Sequence, residues 1–266
     1  MITGGGSGIG EALAAAVAAA GAAHVVVADI DADQASRVAA AVGGTAVGVD
    51  VRGEAAIKAL VDSTEEIHGP IGLFASNAGY VTTGGLEDSN DRIQAMWEVH
   101  VMAHIYAARA VLPQMIANGG GYLLNTASAA GLLTQIGSLS YSVTKHAAIS
   151  LAEWLAITHH HQGIRVSVLC PQAVRTNILE NSPDAGIWDE LDGSVAGQDG
   201  VVEPGDVARQ CLEAIGEERF WVLPHPEVAD YVVRKATDID RWLAGMRRFQ
   251  RAAYPDGPLP GDAIGP

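Results

Sequence analysis

The sequence predicts an α/β fold: a doubly wound parallel sheet in a single Rossmann-like domain. Three observations carry this. Short apolar or β-branched runs alternate with longer helical patterns, a glycine-rich turn opens the chain as MITGGGSGIG, and an acid, Asp29, closes the run after the first helix pattern. Strands separated by helices pair in parallel through right-handed crossovers, and ligands of such sheets bind beyond the carboxyl ends of the strands.

The elements follow in order. After the opening turn, residues 11–20 are nearly all alanine, a strong helix former, and Gly21 is a natural stop. Val25-Val26-Val27 reads as a buried strand, 33–42 as a helix, 45–49 as a strand, 54–68 as a helix and 72–76 as a strand. A long helix is expected over 91–117 with Pro113 near its end, then a strand over 122–126, a helix over 139–160 and a strand over 165–170. A sparsely hydrophobic loop follows, with a substrate lid expected over 177–200. A helix over 207–215, a strand over 220–223 and one amphipathic helix over 225–254 carrying Trp242, Met246 and Phe249 complete the domain, which spans 1–254. The Pro/Gly-rich stretch 255–266 reads as a flexible tail.

Composition narrows the function. The chain has 266 residues, 48% of them hydrophobic, enough to bury a full core. Sixteen basic against 31 acidic side chains give a formal net charge of −15, which repels phosphate backbones and anionic membranes, so neither nucleic acid nor membrane is expected as a partner. Stretch 13–28 is broken by Gly21 and His24 and lacks a basic flank, so it is neither a signal peptide nor a span. Cys170 and Cys211 sit among apolar neighbours and are expected as buried thiols in a reducing, cytoplasmic compartment. His159-His160-His161 reads as a helix end and not a metal site, because consecutive helical residues point about 100° apart and cannot all face one ion.

The glycine turn has its glycines at Gly4, Gly8 and Gly10, off the G-x-G-x-x-G spacing but with the same physics. Glycines let backbone approach a pyrophosphate closely, and the helix starting near Gly8 aims its free N–H groups at the anion. Alone, such a segment also fits a flexible lead-in. Asp29, 19 residues after Gly10 at a strand end, suits the hydroxyls of an adenosine ribose, although a turn or helix-cap role fits it too. A carboxylate there repels a ribose 2′-phosphate, and no Arg or Lys occurs between Thr3 and Asp29, so NAD is preferred over NADP.

A second constellation follows the strand over 122–126. Ser128 lies just beyond it, and Tyr141 and Lys145 stand at i and i+4 in Tyr-Ser-Val-Thr-Lys. That spacing shares a helix face, so the ammonium is expected to lower the phenol's pKa and make tyrosine a usable acid or base. A plain surface Tyr/Lys pair has the same spacing.

Together, Thr3-Gly4-Gly5-Gly6-Ser7-Gly8-Ile9-Gly10, Asn77-Ala78-Gly79, Ser128 and Tyr141-Ser142-Val143-Thr144-Lys145 resemble the classical short-chain dehydrogenase/reductases, from Thr3 to about Leu223. The resemblance implies an oxidoreductase that interconverts a secondary alcohol and a ketone by hydride transfer. It assigns the pyrophosphate to Gly4, Ser7, Gly8, Ile9 and Gly10, the ribose to Asp29, the adenine to Asp50 and Val51, and the cofactor wall to Asn77, Ala78 and Gly79. Tyr141 would be the acid/base, Lys145 would bind the nicotinamide ribose and tune Tyr141, and Ser128 would bind the reacting oxygen. In the segment 171–176, beginning at Pro171, Val174 would contact the carboxamide by its backbone and Thr176 by its hydroxyl. It also implies a homodimer or homotetramer, for which Trp97, Ile105 and Trp154 suit a buried face.

Two positions depart from the family. Where it has asparagine in a Val-Asn segment, this chain has Val99-His100-Val101, and His100 is read either as a proton relay or as an interior histidine merely tolerated there. Gln172 replaces the usual glycine after Pro171, either crowding the site or facing away. The expected substrate lining is Tyr80, Val81, Leu132, Leu133, Gln135, Ile178, Leu179, Ile187 and Trp188, which suits a small, mostly apolar alcohol or ketone. Finally, only two residues precede Thr3, where the family's first strand needs about four or five more. The expectation is a start that lies upstream and, in the chain as it stands, a strand stub whose neighbours lack ladder partners. A redox-inactive binding protein is the competing function, against which the intact trio argues.

Overall fold

The computed structural model describes residues 1–178, 180–184, 197–255 and 261. Its strands are β1 (Ile2–Thr3), β2 (Val26–Asp29), β3 (Thr45–Gly48), β4 (Leu73–Ser76), β5 (Gly121–Thr126), β6 (Ile164–Leu169) and β7 (Trp221–Val222). All pair in parallel in one sheet of order β3-β2-β1-β4-β5-β6-β7. The order reverses between β1 and β4, which opens a crevice at their carboxyl ends.

Helices cover both faces. They are α1 (Gly8–Ala19), α2 (Ala32–Val42), α3 (Glu54–His68), α4 (Asn90–Trp97), α5 (Ala103–Ala117), α6 (Ala130–Leu133), α7 (Leu139–His159), α8 (Pro204–Gly216), α9 (Glu227–Thr237) and α10 (Ile239–Ala253). Alternation along the strands sorts the core into two layers. Phe74, Leu123, Val166 and Val168 pack under α3, α5 and α7, whereas Ile2, Val27, Ala75, Leu124 and Leu169 pack under α1, α2 and α8. With both faces covered, the strands read as continuous apolar runs. Leu124 is wholly buried, and its truncation to alanine costs about 2–5 kcal/mol.

The short first strand is better supported than expected. Ile2 pairs with Val27 and Ala75, and Thr3 with Ala28. The Met1 amine donates to the Leu73 carbonyl at 2.8 Å, and Ala75 N–H donates to the Met1 carbonyl at 2.9 Å. The ladder groups expected to stand open beside the stub are therefore paired.

Three elements differ from expectation. The helix over 91–117 is interrupted by a π-helical turn, Glu98–Met102, whose wider winding turns His100 fully inward. The single helix over 225–254 is two helices, broken at Asp238 (φ −151°, ψ 90°), whose carboxylate caps α10 by accepting from Arg241 N–H at 3.0 Å. The short α6, directly after Ser128, was not anticipated. Leu179, Ile187 and Trp188, most of the lid and nearly all of the tail lie outside the described residues.

Candidate active site

The crevice is floored by the turn between β1 and α1. Gly4 has φ +61°, and a Cβ there would stand 2.7 Å from Ala78 Cα; one at Gly10 would stand 2.0 Å from the Gly4 carbonyl oxygen. Glycine is the only residue that fits at either place, which draws the turn against Ala78 and leaves a concave strip of backbone above it. Ser7 precedes α1 without capping it by its side chain. The first N–H groups of α1, with Ile9 and Gly10 among its first residues, point along the strip in the arrangement that binds phosphate.

Asn77 ties the floor together. Its amide donates to the carbonyls of Thr3 and Gly4 at 3.3 and 3.2 Å, and its oxygen accepts from the Thr126 hydroxyl at 3.0 Å, so one side chain joins the ends of β1, β4 and β5. Asp29 ends β2 beside the turn, accepting from Gly6 N–H at 2.9 Å and from Asp31 N–H at 3.0 Å. Asp50 is engaged by Arg52 at 2.6 Å, and that guanidinium holds its carboxyl below the usual range. Val51, next in chain, is buried. One basic group escaped the sequence reading. Arg37, from α2, donates to the Gly6 carbonyl at 3.0 Å and pairs with Glu11 at 2.7 Å, so its charge is already matched.

Ser128, Tyr141 and Lys145 converge at the end of β5. Ser128 is buried, its oxygen accepting from Ala130 N–H at 3.1 Å and its hydroxyl lying 3.4 Å from the Pro171 carbonyl. Burial pushes the Tyr141 phenol above its ordinary range, and the nearby Ser128 side chain draws it partly back. The expected lowering by Lys145 is not found. The Lys145 ammonium donates to the Thr126 carbonyl at 3.1 Å and lies 5.6 Å from the Tyr141 ring centre, while its own burial brings its pKa down to about 8. Sharing a helix face did not make the two groups touch, because the strand end captures the ammonium.

The segment after β6 crosses the crevice. Val174 forms a parallel bridge with Val202 in which Val202 N–H donates to the Ala173 carbonyl at 3.1 Å and Arg175 N–H to the Val202 carbonyl at 2.9 Å. A bridge of this kind uses the flanking groups, so the N–H and C=O of Val174 itself face the other way. Thr176 lies over the glycine turn: a Cβ on Gly8 would be 3.0 Å from its methyl.

Residues 1–185 match the family model described as short chain dehydrogenase. The chain belongs to the short-chain dehydrogenases. Among curated relatives, it is 34% identical over 237 residues to 1-deoxy-11-beta-hydroxypentalenate dehydrogenase of Streptomyces exfoliatus, covering 85% of this chain and 82% of the other. It is 32% identical over 249 residues to 2-keto-3-deoxy-L-fuconate dehydrogenase of Xanthomonas campestris, covering 92% and 76%. A solved short-chain dehydrogenase/reductase from Burkholderia phymatum, in complex with NAD, superposes with TM-score 0.79 at 32% identity over 90% of this chain and 92% of its own. The protein is thus an oxidoreductase that acts on CH–OH groups with a nicotinamide cofactor.

His100 stands against the same corner of the site. It is fully buried, edge-on to Tyr141 at 5.5 Å between ring centres, and both ring nitrogens are engaged. Nε2 accepts Tyr80 N–H at 3.2 Å, and Nδ1 lies 3.0 Å from the Thr144 hydroxyl. Burial first, then the Lys145 charge, holds its pKa well below the usual value. A neutral imidazole with a backbone N–H on Nε2 is a strut between the loop after β4 and α7. Of its two readings from sequence, the geometry favours an interior role over the proton relay. His104, one turn on, is likewise held neutral, its pKa lowered by burial to about 3.

Gln172 is fixed by its backbone, whose N–H donates to His225 Nδ1 at 3.2 Å. Beside Ser128, Leu133 and Ala129 pack with Val228, Tyr231, Val232 and Trp242 of the C-terminal helices, an apolar wall to the crevice. The His159–His161 run ends α7, with His159 Nδ1 at 2.6 Å from Gln162 Oε1. Among the described residues no helix is long and apolar enough to cross a membrane.

Proposed function

We propose that this short-chain dehydrogenase uses NAD in preference to NADP and interconverts a small, mostly apolar secondary alcohol and its ketone, with Tyr141 as acid/base. The observation that carries the reading is the convergence of Ser128, the Tyr141 phenol and the Lys145 ammonium, which donates to the Thr126 carbonyl at 3.1 Å, at the end of β5 beside the glycine cradle. The cradle fits a dinucleotide, since glycine at Gly4 and Gly10 lets the turn pack directly on Ala78 and on its own backbone, and Ser7 leaves the start of α1 without a side-chain cap. Gly4, Ser7, Gly8, Ile9 and Gly10 would hold the pyrophosphate, Asp29 the ribose, Asp50 and Val51 the adenine. Asn77, Ala78 and Gly79 would form the wall, with Lys145, Pro171, Val174 and Thr176 about the nicotinamide end. The cofactor, when bound, supplies hydride acceptance and donation.

The chain's own part is proton handling and orientation. Ser128 and Tyr141 present two hydroxyls to one substrate oxygen, which fixes the carbon bearing it. Tyr141, raised by burial, rests as the phenol and gives its proton to a ketone oxygen; in the reverse direction its oxygen takes the alcohol proton. Lys145 keeps a positive charge near the phenolate formed. Asp29 and Glu11 set negative charge where a 2′-phosphate would lie, and Arg37 is already committed to Glu11.

The wall formed by Leu132, Leu133, Val228 and Trp242 is apolar, which supports an alcohol on a hydrocarbon frame over a sugar acid. Trp154 (56% exposed) and Ile157 (81%) stand out from α7 and support a homo-oligomer paired through that helix. Cys170 and Cys211, both buried free thiols, support a reducing, cytoplasmic setting.

The test is the melting midpoint of the protein with saturating NAD or NADP, followed by NADH formation with a panel of secondary alcohols. A rise with NAD, little with NADP, and NADH from apolar members of the panel are expected. Equal rises, or turnover confined to sugar acids, would overturn the corresponding part.

A further inference from the structure

Outside the residues already assigned, one buried titratable side chain touches several segments of the site. His225 lies between β7 and α9 and is 1% exposed. Its Nδ1 accepts the Gln172 N–H at 3.2 Å, so in the neutral ring the proton sits on Nε2, which donates to the Gly200 carbonyl at 3.2 Å. Its own carbonyl accepts from Val228 N–H at 3.2 Å in the first turn of α9. The imidazole thus joins the segment after β6 to the chain leading into the Val202 bridge, and the residue's own backbone carries both to the start of α9.

What that bolt fixes matters more than the bonds themselves. Gln172 lies between Pro171, whose carbonyl is the acceptor for Ala129 N–H at 2.9 Å and lies 3.4 Å from the Ser128 hydroxyl, and Ala173, which begins the bridge to Val202. Shift Gln172 and two things move: the Ser128 hydroxyl, and the direction in which Val174 presents its N–H and C=O. A second bond holds the same corner, from the Tyr231 hydroxyl of α9 to Asp199 Oδ1 at 3.0 Å. The C-terminal helices lie wholly beyond the part of the chain that the family model matches, residues 1–185.

We propose that His225 is a positioning residue for the nicotinamide end of the cofactor: as the acceptor of Gln172 N–H it sets the path of 171–176, and through it the C-terminal helices become part of the active site. The proposal rests on the cofactor reading above. It makes a specific demand on chemistry, since the acceptor at Nδ1 is essential and the donor at Nε2 is secondary.

Two amides separate these functions. In His225→Asn the side-chain oxygen falls where Nδ1 was and keeps the acceptor. In His225→Gln the longer side chain reaches the Nε2 position and keeps the donor to Gly200, but leaves Gln172 N–H without its partner. The measurement is the NAD dissociation constant by calorimetry, with the cofactor-free melting midpoint of each variant beside it. Loss of about one hydrogen bond predicts NAD binding weaker by roughly 2- to 10-fold in His225→Gln and nearly unchanged in His225→Asn. A packing role predicts the reverse order, because glutamine fills the histidine volume better than asparagine. Equal NAD affinities, or a loss that follows the melting midpoints, overturns the proposal. Should His225→Gln not fold, the imidazole nitrogen resonances of the parent decide: a lone pair on Nδ1, with that signal shifting when NAD is added, supports it, and a proton on Nδ1 or an unmoved signal overturns it. Failure of the parent to bind either NAD or NADP would instead overturn the cofactor reading, and this proposal with it.

Discussion

The Lys145 ammonium is held by the Thr126 carbonyl at 3.1 Å and stands 5.6 Å from the centre of the Tyr141 ring. The lysine is therefore part of the strand end as much as of α7. Its charge reaches Tyr141 across a gap and does not bind the phenol, which burial leaves in its protonated form.

That arrangement fixes the sign of the pH dependence. A phenol with a raised pKa is a proton donor throughout the neutral range and an acceptor only as pH climbs toward that pKa. Oxidation of the alcohol should gain about tenfold in kcat/KM per pH unit between about pH 6 and pH 8, the range in which Lys145, with a pKa of about 8, keeps its charge, while ketone reduction stays flat there. Initial rates in both directions across that range check it, and a flat oxidation profile would contradict the assignment.

The proposed preference for NAD makes Asp29 the selector at the adenosine end. Asp29→Asn keeps an oxygen for Gly6 N–H, gives up the bond from Asp31 N–H, and removes the charge that opposes a 2′-phosphate. The ratio of kcat/KM for NADP to that for NAD should rise by about tenfold, equivalent to roughly 1.4 kcal/mol. Steady-state kinetics with each cofactor give the ratio directly.

Gly10→Ala forces a Cβ to within 2.0 Å of the Gly4 carbonyl oxygen, and backbone, not a flexible side chain, must give way. The expected cost is about 1–3 kcal/mol of stability, together with loss of NAD binding. Urea denaturation with and without NAD measures both.

Much of this was legible in the sequence, for physical reasons that differ from residue to residue. The strands announced themselves because a sheet covered on both faces needs uninterrupted apolar runs such as Val25-Val26-Val27. Gly4 and Gly10 were legible because no other residue fits where backbone passes so close to backbone. Arg37 was not, since its contacts with Gly6 of the glycine turn and Glu11 of α1 span 31 and 26 residues and depend on how α2 packs. Nor was the π-helical turn, whose inward His100 meets Tyr80 and Thr144, both distant in the chain. The break at Asp238 did leave a signal, a helix-capping acid inside an amphipathic pattern, which the continuing apolar period concealed.

Association through α7 can be tested at its most exposed aromatic. Trp154→Glu places a charge on the apolar patch with Ile157 and should shift the protein to a smaller species by light scattering, with the monomer fold unchanged by circular dichroism. An unaltered mass would move the interface elsewhere.

The central claim is that Tyr141 moves the proton in an otherwise complete cofactor site. Its most direct test is Tyr141→Phe, measured for the rate of NADH formation from an alcohol the parent oxidises and for the rise in melting midpoint that NAD produces. The account predicts a fall in kcat of about 10²- to 10⁴-fold with the NAD-induced rise unchanged. Turnover within a few fold of the parent would contradict it.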